Sequence, residues 1–390
     1  MIQKNSIKCP YCSSNNIKKE GRRKNKLEAI QKYFCKACNK NFTSKALKNK
    51  TYPSKIIINA ISCYNLGSTQ LEVSKLLSQR YKLKVPQRTI SEWINEYKNI
   101  CTFQKLRKEA KKLYQPEEII EQHTLMHSNL PYKFQLHKAK LYLLFHSRLY
   151  NNQFHNISHF YEPLKAYLER ISTNKFPHHI FTYNKSNSNE SASGPNAEIA
   201  NNKNLNNEND INETKNKIGN IGTGQNNNEQ RASQIKFSHL NIKAINKTNQ
   251  SNELAKLALN LAKSNNERHK VIQDFMLIND STTIATEVPI YLTNWDAGYY
   301  RNQKGFIFPL NSYTTPITGH IDILQIRNGL IHILDYKPEA EKINATEQLT
   351  IYALALSRKL NLPLYYFKCA WFDENNYFEF FPLHAVYEKK

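Results

Sequence analysis

The stretch GHIDILQIRNGLIHILDYKPEA, residues 319–340, constrains this chain most. Asn328-Gly329 is the strongest two-residue signal for a hairpin, because the favoured turn needs positive φ at both central positions. Strands over 321–327 and 330–337 follow, and with a two-residue loop their paired positions sum to 657. Asp322 then faces Asp335, Leu324 faces Ile333, and Ile326 faces Ile331. Side chains alternate between the faces of a strand, so these six and Lys337 share one side. The other side carries Ile323, Leu334 and Tyr336 and is apolar too. A hairpin apolar on both faces belongs in the middle of a sheet covered on both sides.

The carboxylates are the difficulty. Two acids directly opposite have Cβ atoms only ~4.5–5.5 Å apart, and like charges so placed destabilise a sheet. Burying them unpaired costs more. A divalent cation between them removes both penalties, and hard oxygen ligands favour magnesium or manganese. Lys337 points to the same side, where its ammonium can meet a phosphate oxygen or an attacking water. A structural ion pair of Lys337 with one aspartate is the plainer alternative; it leaves the second carboxylate unexplained.

GHID followed by DYK resembles the PD-(D/E)XK nuclease superfamily, whose pattern is an Asp on one strand and Asp/Glu-x-Lys on the next. In NATEQLTIYALALSRKL, Asn344 is placed as a helix cap with Glu347 as its capping-box partner, and Gln348 and Tyr352 fall on one face near the helix start. DYK with QxxxY resembles the RecB-type branch, which includes exonucleases associated with CRISPR systems. The resemblance covers about residues 255–370. It implies a restriction-endonuclease-like α/β fold in which Asp322 and Asp335 bind magnesium or manganese, with the Tyr336 carbonyl as a further ligand. Lys337 becomes the catalytic lysine. Gln348 and Tyr352 sit beside the site and position nucleic acid. Glu287, in TTIATEVPIYL, matches the acid that often precedes the GxxD strand. His269, in NNERHKVIQDF, stands about where that branch commonly carries a metal-binding histidine. Cys369 stands alone, so no iron–sulfur cluster is expected.

The other strong motif lies at the start. CPYC (Cys9, Cys12) and FCKACNKNF (Cys35, Cys38) are two CxxC knuckles, each pointing two thiolates at one cation. Fifty residues build little core, so a structural zinc would supply the folding energy. Redox use of the pairs is the rival. The motif resembles a zinc ribbon.

Residues 53–98 read as three helices: one opened by Pro53 and ended near Leu66-Gly67, one over Thr69–Tyr81 with Val73, Leu76 and Leu77 on a face, and one after Pro86. In the last, Ile90, Trp93, Ile94 and Tyr97 fall at helical spacing. The opposite face presents Gln87, Arg88, Ser91 and Asn95, side chains able to bond base edges or phosphates. An ordinary three-helix bundle is the bland alternative. Ribbon plus helix-turn-helix is similar to the N-terminal half of many insertion-sequence transposases, across about residues 5–98.

Residues 100–183 read as a helical, basic spacer and a candidate dimerisation element. HTLMH and HNISH each put two histidines four apart on a helix, but surface or packed histidines fit better than zinc ligands, since neither motif has the Glu a zinc protease needs. The tract 184–235 is rich in asparagine, with almost nothing apolar to bury, and is expected to be a disordered linker.

The whole chain is thus expected to be multidomain: a zinc ribbon (1–50), an all-α helix-turn-helix DNA-binding unit (51–99), the helical region (100–183), the linker, and a nuclease-like domain (236–390) with a central mixed sheet flanked by helices. Net charge is +23, and residues 1–112 hold 26 Lys and Arg against 6 Asp and Glu. That concentration suggests a polyanion held by the N-terminal part, most simply DNA, with RNA as the alternative. No apolar run approaches the ~18–20 residues that span a bilayer, so a soluble intracellular (cytoplasmic) protein with no membrane partner is expected. The expected activity is that of a magnesium-dependent deoxyribonuclease, plausibly of a mobile element. A DNA-binding regulator or transposase-related protein keeping a degenerate nuclease fold is the alternative.

Overall fold

The structure is a computed structural model and describes residues 7–24, 29–43, 50–127, 130–146, 158–171, 230–235, 244–306 and 316–387. The expected linker, up to residue 229, and the HNISH side chains lie outside them.

At the N-terminus, β1 (Ile17–Lys24), β2 (Ala29–Cys35) and β3 (Asn41–Thr43) form a small antiparallel sheet. Tyr33 pairs with Phe42 across β2 and β3, and their rings stack at 5.6 Å. Cys9, Tyr33, Cys35 and Phe42 form its small buried cluster, and Ile30 is buried as well.

Helices α1 (Ser54–Asn65), α2 (Gln70–Tyr81) and α3 (Gln87–Tyr97) follow. Thr69 starts α2 through a capping box: its Oγ1 accepts from the Glu72 N–H at 3.2 Å, and Glu72 accepts from the Thr69 N–H at 2.7 Å. Lys82, at φ 54°, ends it in the left-handed conformation. On α3 the four apolar residues are buried as their spacing predicts; Gln87, Arg88 and Asn95 are exposed and Ser91 is half-buried. Leu76 departs from expectation at 44% exposure, because α2 buries only a narrow strip, Val73 and Leu77, one turn apart.

These helices close no separate core. Ile57, Trp93 and Ile94 belong to one hydrophobic cluster with Leu254, Phe275, Ile323, Leu334, Tyr336 and Phe372 from the C-terminal half. The expected self-contained DNA-binding unit is therefore built onto the back of the main sheet.

After α4 (Arg107–Leu113) the helical expectation for 100–183 fails in part. Residues 120–137 form a hairpin, β4 (Ile120–His127) and β5 (Leu130–His137), so HTLMH lies on a strand. The alternation of Tyr132, Phe134 and Leu136, with Phe134 and Leu136 buried, is a period-two pattern that only a strand can use. Helices α5 (Lys138–His146) and α6 (Ser158–Glu169) complete the region. Lys140 of α5 is fully buried and donates to the carbonyls of Leu277 and Thr283, tying the hairpin to the core; burial brings its pKa down to about 7.

The C-terminal half contributes β6 (Gln230–Arg231), β7 (Ile245–Lys247), α7 (Gln250–Ala258), α8 (Arg268–Asn279), β8 (Thr283–Leu292), α9 (Asn294–Lys304), β9 (Ile317–Arg327), β10 (Leu330–Tyr336), α10 (Thr346–Leu360), β11 (Phe367–Phe372), β12 (Tyr377–Phe380) and α11 (Leu383–Val386). The mixed main sheet runs β4-β5-β8-β9-β10-β11-β12-β7, with β6 added alongside β9. Only β10–β11 and β6–β9 pair in parallel. Within the described residues 230–235, Gln230 and Arg231 thus join the sheet from inside the tract expected to be linker. Helix α10 packs Leu349, Ala353 and Leu356 on the face of Leu324, Ile331 and Ile333. The opposite face meets α7, α8 and α1–α3. The hairpin is covered on both sides, as its apolar faces require. No helix among the described residues is long and apolar enough to cross a membrane.

Candidate active site and metal centre

The four N-terminal cysteines converge. Cys9 and Cys38 place their sulfurs 3.6 Å apart, Cys12 and Cys35 3.5 Å, and all four lie within 4.8 Å of one another. Tetrahedral zinc with Zn–S bonds of about 2.3 Å needs sulfurs roughly 3.8 Å apart, so the cluster fits a structural zinc. Burial opposes ionisation of Cys35, yet backbone N–H groups of Cys38 and Ala37 bring its thiol down to about 7. Among the described residues this is the one group of three or more His, Cys, Asp or Glu side chains drawn so close.

The second site grows from the hairpin. Pairing runs from Leu330 with Arg327 to Leu334 with Ile323, each pair summing to 657, and stops one pair short of Asp335 and Asp322. Instead the Tyr336 N–H donates to Asp322 Oδ2 at 3.3 Å, and the Asp335 carboxyl lies close enough to oppose the ionisation of Asp322. Lys337 Nζ lies 2.7 Å from Asp335 Oδ2. The parallel neighbour fixes the lysine's backbone: its N–H donates to the Phe372 carbonyl at 2.9 Å.

Glu287 comes from β8. Its neighbours Thr286 and Val288 pair with Ile323 and Ile321, which sets Glu287 across from Asp322. Its φ of 51° is left-handed, a conformation costing a non-glycine residue on the order of 1–3 kcal/mol. Gln273 of α8 holds it, donating from Nε2 to Oε1 at 2.6 Å. Three acids thus arrive from three adjacent strands.

Their electrostatics are those of a crowded anionic site. Burial raises Asp322 well above the usual carboxylate range, and Asp335 and Glu287 push the same way. Burial brings Glu287 up to about 7, with Asp335 adding to it and the Gln273 bond opposing. Lys337 loses some proton affinity to burial, but Asp335 and Asp322 more than restore it. With every group ionised, three carboxylates and one ammonium leave a net charge of −2, which one divalent cation would cancel.

Compared with family models, curated proteins and solved structures, the chain matches none. The nuclease resemblance therefore stands on the residues and their arrangement.

The remaining expected residues gather around the carboxyls. His269 meets the Tyr336 ring edge-on at 5.1 Å; burial lowers its pKa while Asp335 pulls it upward. Gln348 Nε2 donates to Tyr352 Oη at 2.9 Å, and Tyr352 lines one cavity of about 170 Å³ with Glu287 and Asp322. The capping detail is corrected: Asn344 accepts from the Thr346 N–H at 3.0 Å, but the cap position is Ala345, which has no side-chain bond to give, and no capping box with Glu347 forms. The Gln87, Arg88, Ser91 and Asn95 face lies on α3, outside this cavity.

Gln273 escaped the sequence reading, because nothing in α8 distinguishes it from a surface glutamine. The reason for Gly319 escaped too. Its φ is ordinary, but a Cβ there would lie 2.4 Å from Tyr352 Cε1, so the glycine makes room for that ring. Gly319→Ala is expected to cost about 1–3 kcal/mol, as overpacking of a buried ring does. Thermal melting should show a drop of several degrees, largely relieved in a Tyr352→Ala background. An unrelieved loss would place the strain elsewhere.

Proposed function

We propose that this chain is a divalent-metal-dependent nuclease that hydrolyses phosphodiester bonds, carrying its own nucleic-acid-binding module. The observation that supports it most is the meeting of Asp322 and Asp335 at the end of the hairpin, with Lys337 2.7 Å from Asp335. Asp322 and Asp335 are the residues that would hold magnesium or manganese, given their all-oxygen donors and the excess negative charge. The chemistry such a cation supplies is Lewis acidity toward the phosphodiester and a lowered pKa for water.

The rest is the work of this chain's own groups. Lys337 is half-buried and held on one side by Asp335, so its ammonium is positioned for the charge that builds on phosphoryl oxygens as a nucleophile enters. Glu287, brought up to about 7, can take a proton from an attacking water near neutral pH. Tyr352 accepts from Gln348 and keeps its own hydroxyl proton for a substrate oxygen. The lysine-rich N-terminal part and the exposed Gln87, Arg88 and Asn95 would hold the polymer backbone, DNA in our reading, with salt-sensitive affinity. The pairing of ribbon and helix-turn-helix fits a role in a mobile element.

The direct test compares wild type with Lys337→Ala on plasmid, linear and single-stranded DNA, with and without magnesium. Cleavage is expected from wild type with metal alone, and a loss of at least about 10²-fold in the variant. Equal cleavage by both proteins would sink the assignment.

A further inference from the structure

The cavity beside the carboxyls contains a cation that the chemistry above leaves unused. β6 runs parallel to β9 with Arg231 against Thr318, the residue before Gly319. This brings Arg231 into the same cavity as Glu287, Asp322 and Tyr352. Arg88, Arg268 and Arg358 each pair with a carboxylate. Among the described residues Arg231 has no such partner, although two acids, Glu287 and Asp322, share its cavity. A half-buried guanidinium without a carboxylate is a ready receptor for another anion, and its planar fork suits a phosphate in particular. The same cavity supplies a flat surface: the rings of Tyr132 from β5 and His320 from β9 stack at 4.0 Å and 17°.

We propose that Arg231 and the Tyr132–His320 pair form the seat for the nucleotide next to the scissile bond, with the guanidinium on its phosphate and the rings beside its base. The inference rests on the nuclease reading for where the scissile bond lies, but its chemistry is that of binding. A base reaches a ring pair only when unpaired, so the occupant is a single strand or a frayed end. The hairpin β4–β5 and the six residues ahead of position 236 then have a purpose beyond the sheet, since the one brings Tyr132 and the other Arg231 to this seat.

The experiment uses the full chain with calcium in place of magnesium and a fluorescein-labelled single-stranded tetranucleotide, read by anisotropy. Arg231→Ala is expected to weaken binding about tenfold or more. Arg231→Lys should regain part of the loss, as a point charge without the fork. Lys256→Ala removes an exposed charge outside the N-terminal part, already paired with Glu253, and should change nothing. A blunt duplex of equal length should bind more weakly, and inorganic phosphate should compete only at far higher concentration than the tetranucleotide. Unchanged affinity in Arg231→Ala overturns the seat; competition by inorganic phosphate as effective as by the tetranucleotide reduces it to an anion hole and overturns it equally. Because binding is read without turnover, a protein that holds the strand through Arg231 yet cleaves nothing keeps the seat and overturns the nuclease. One that cleaves with wild-type kcat/KM in Arg231→Ala does the reverse.

Discussion

Asp322→Asn should abolish magnesium-dependent cleavage, by about 10³-fold or more, and should also stabilise the metal-free protein at pH 8. The first effect follows from losing one of only two carboxylates placed to hold the cation. The second follows from linkage. A carboxyl whose folded pKa lies above its unfolded value binds its proton more tightly in the native state. The stability that proton confers is complete below the unfolded pKa and is lost as pH rises through the folded one. For Glu287 the window runs from 4.5 to about 7; for Asp322 it opens at 3.8 and extends upward, driven first by burial and then by Asp335 and Glu287. The metal-free wild type is therefore penalised at pH 8, and a neutral amide at 322 removes much of that penalty, so the variant should show the higher Tm there. At pH 4 the two proteins should melt nearly together. Magnesium should raise the wild-type Tm and leave the variant unmoved. A variant that melts lower at pH 8, or still turns over, would show that the carboxyl is neither crowded nor a ligand.

Stripping the zinc, by chelation or by Cys35→Ser, should unfold residues 7–43 and spare the main sheet. Among its described residues this region buries only five hydrophobic side chains, so a metal on the four cysteines would supply most of its stability; structural zinc in small fingers contributes apparent binding free energies of about 10–16 kcal/mol. Hydrogen exchange separates the two regions. Amides of Ile30 to Cys35 should lose protection while those of Ile331 to Leu334 keep theirs. Protection that persists in β2 without zinc would mean that the strands stand unaided and the cysteines serve another end.

What could be read from the sequence was what local chemistry dictates. Asn328-Gly329 fixed the hairpin register through Leu334 and Ile323, because a two-residue turn leaves one pairing. The spacing of Ile90, Trp93, Ile94 and Tyr97 identified the buried side of α3, because residues three and four apart share one face of a helix. The failures lie where distant parts decide. Residues 120–137 carry a strand alternation, but four-residue histidine spacing also suits a helix, and only pairing with β8 selects between them. The left-handed backbone of Glu287 has no signature, since a non-glycine residue adopts it only when its surroundings, here Gln273 and the adjacent strand, compel it. Arg231 was hidden by composition, as the end of an asparagine-rich tract gives no sign that two of its residues will join a sheet.

Tyr336 is the residue between Asp335 and Lys337, and its side chain lies in the same interior as Trp93 of α3. The surface proposed to grip a duplex and the side chains proposed to cut it are thus joined by one piece of packed hydrocarbon. Such a body works as a calliper: its jaws keep a set span, and any tilt imposed on the helices bears directly on the strand that carries the lysine.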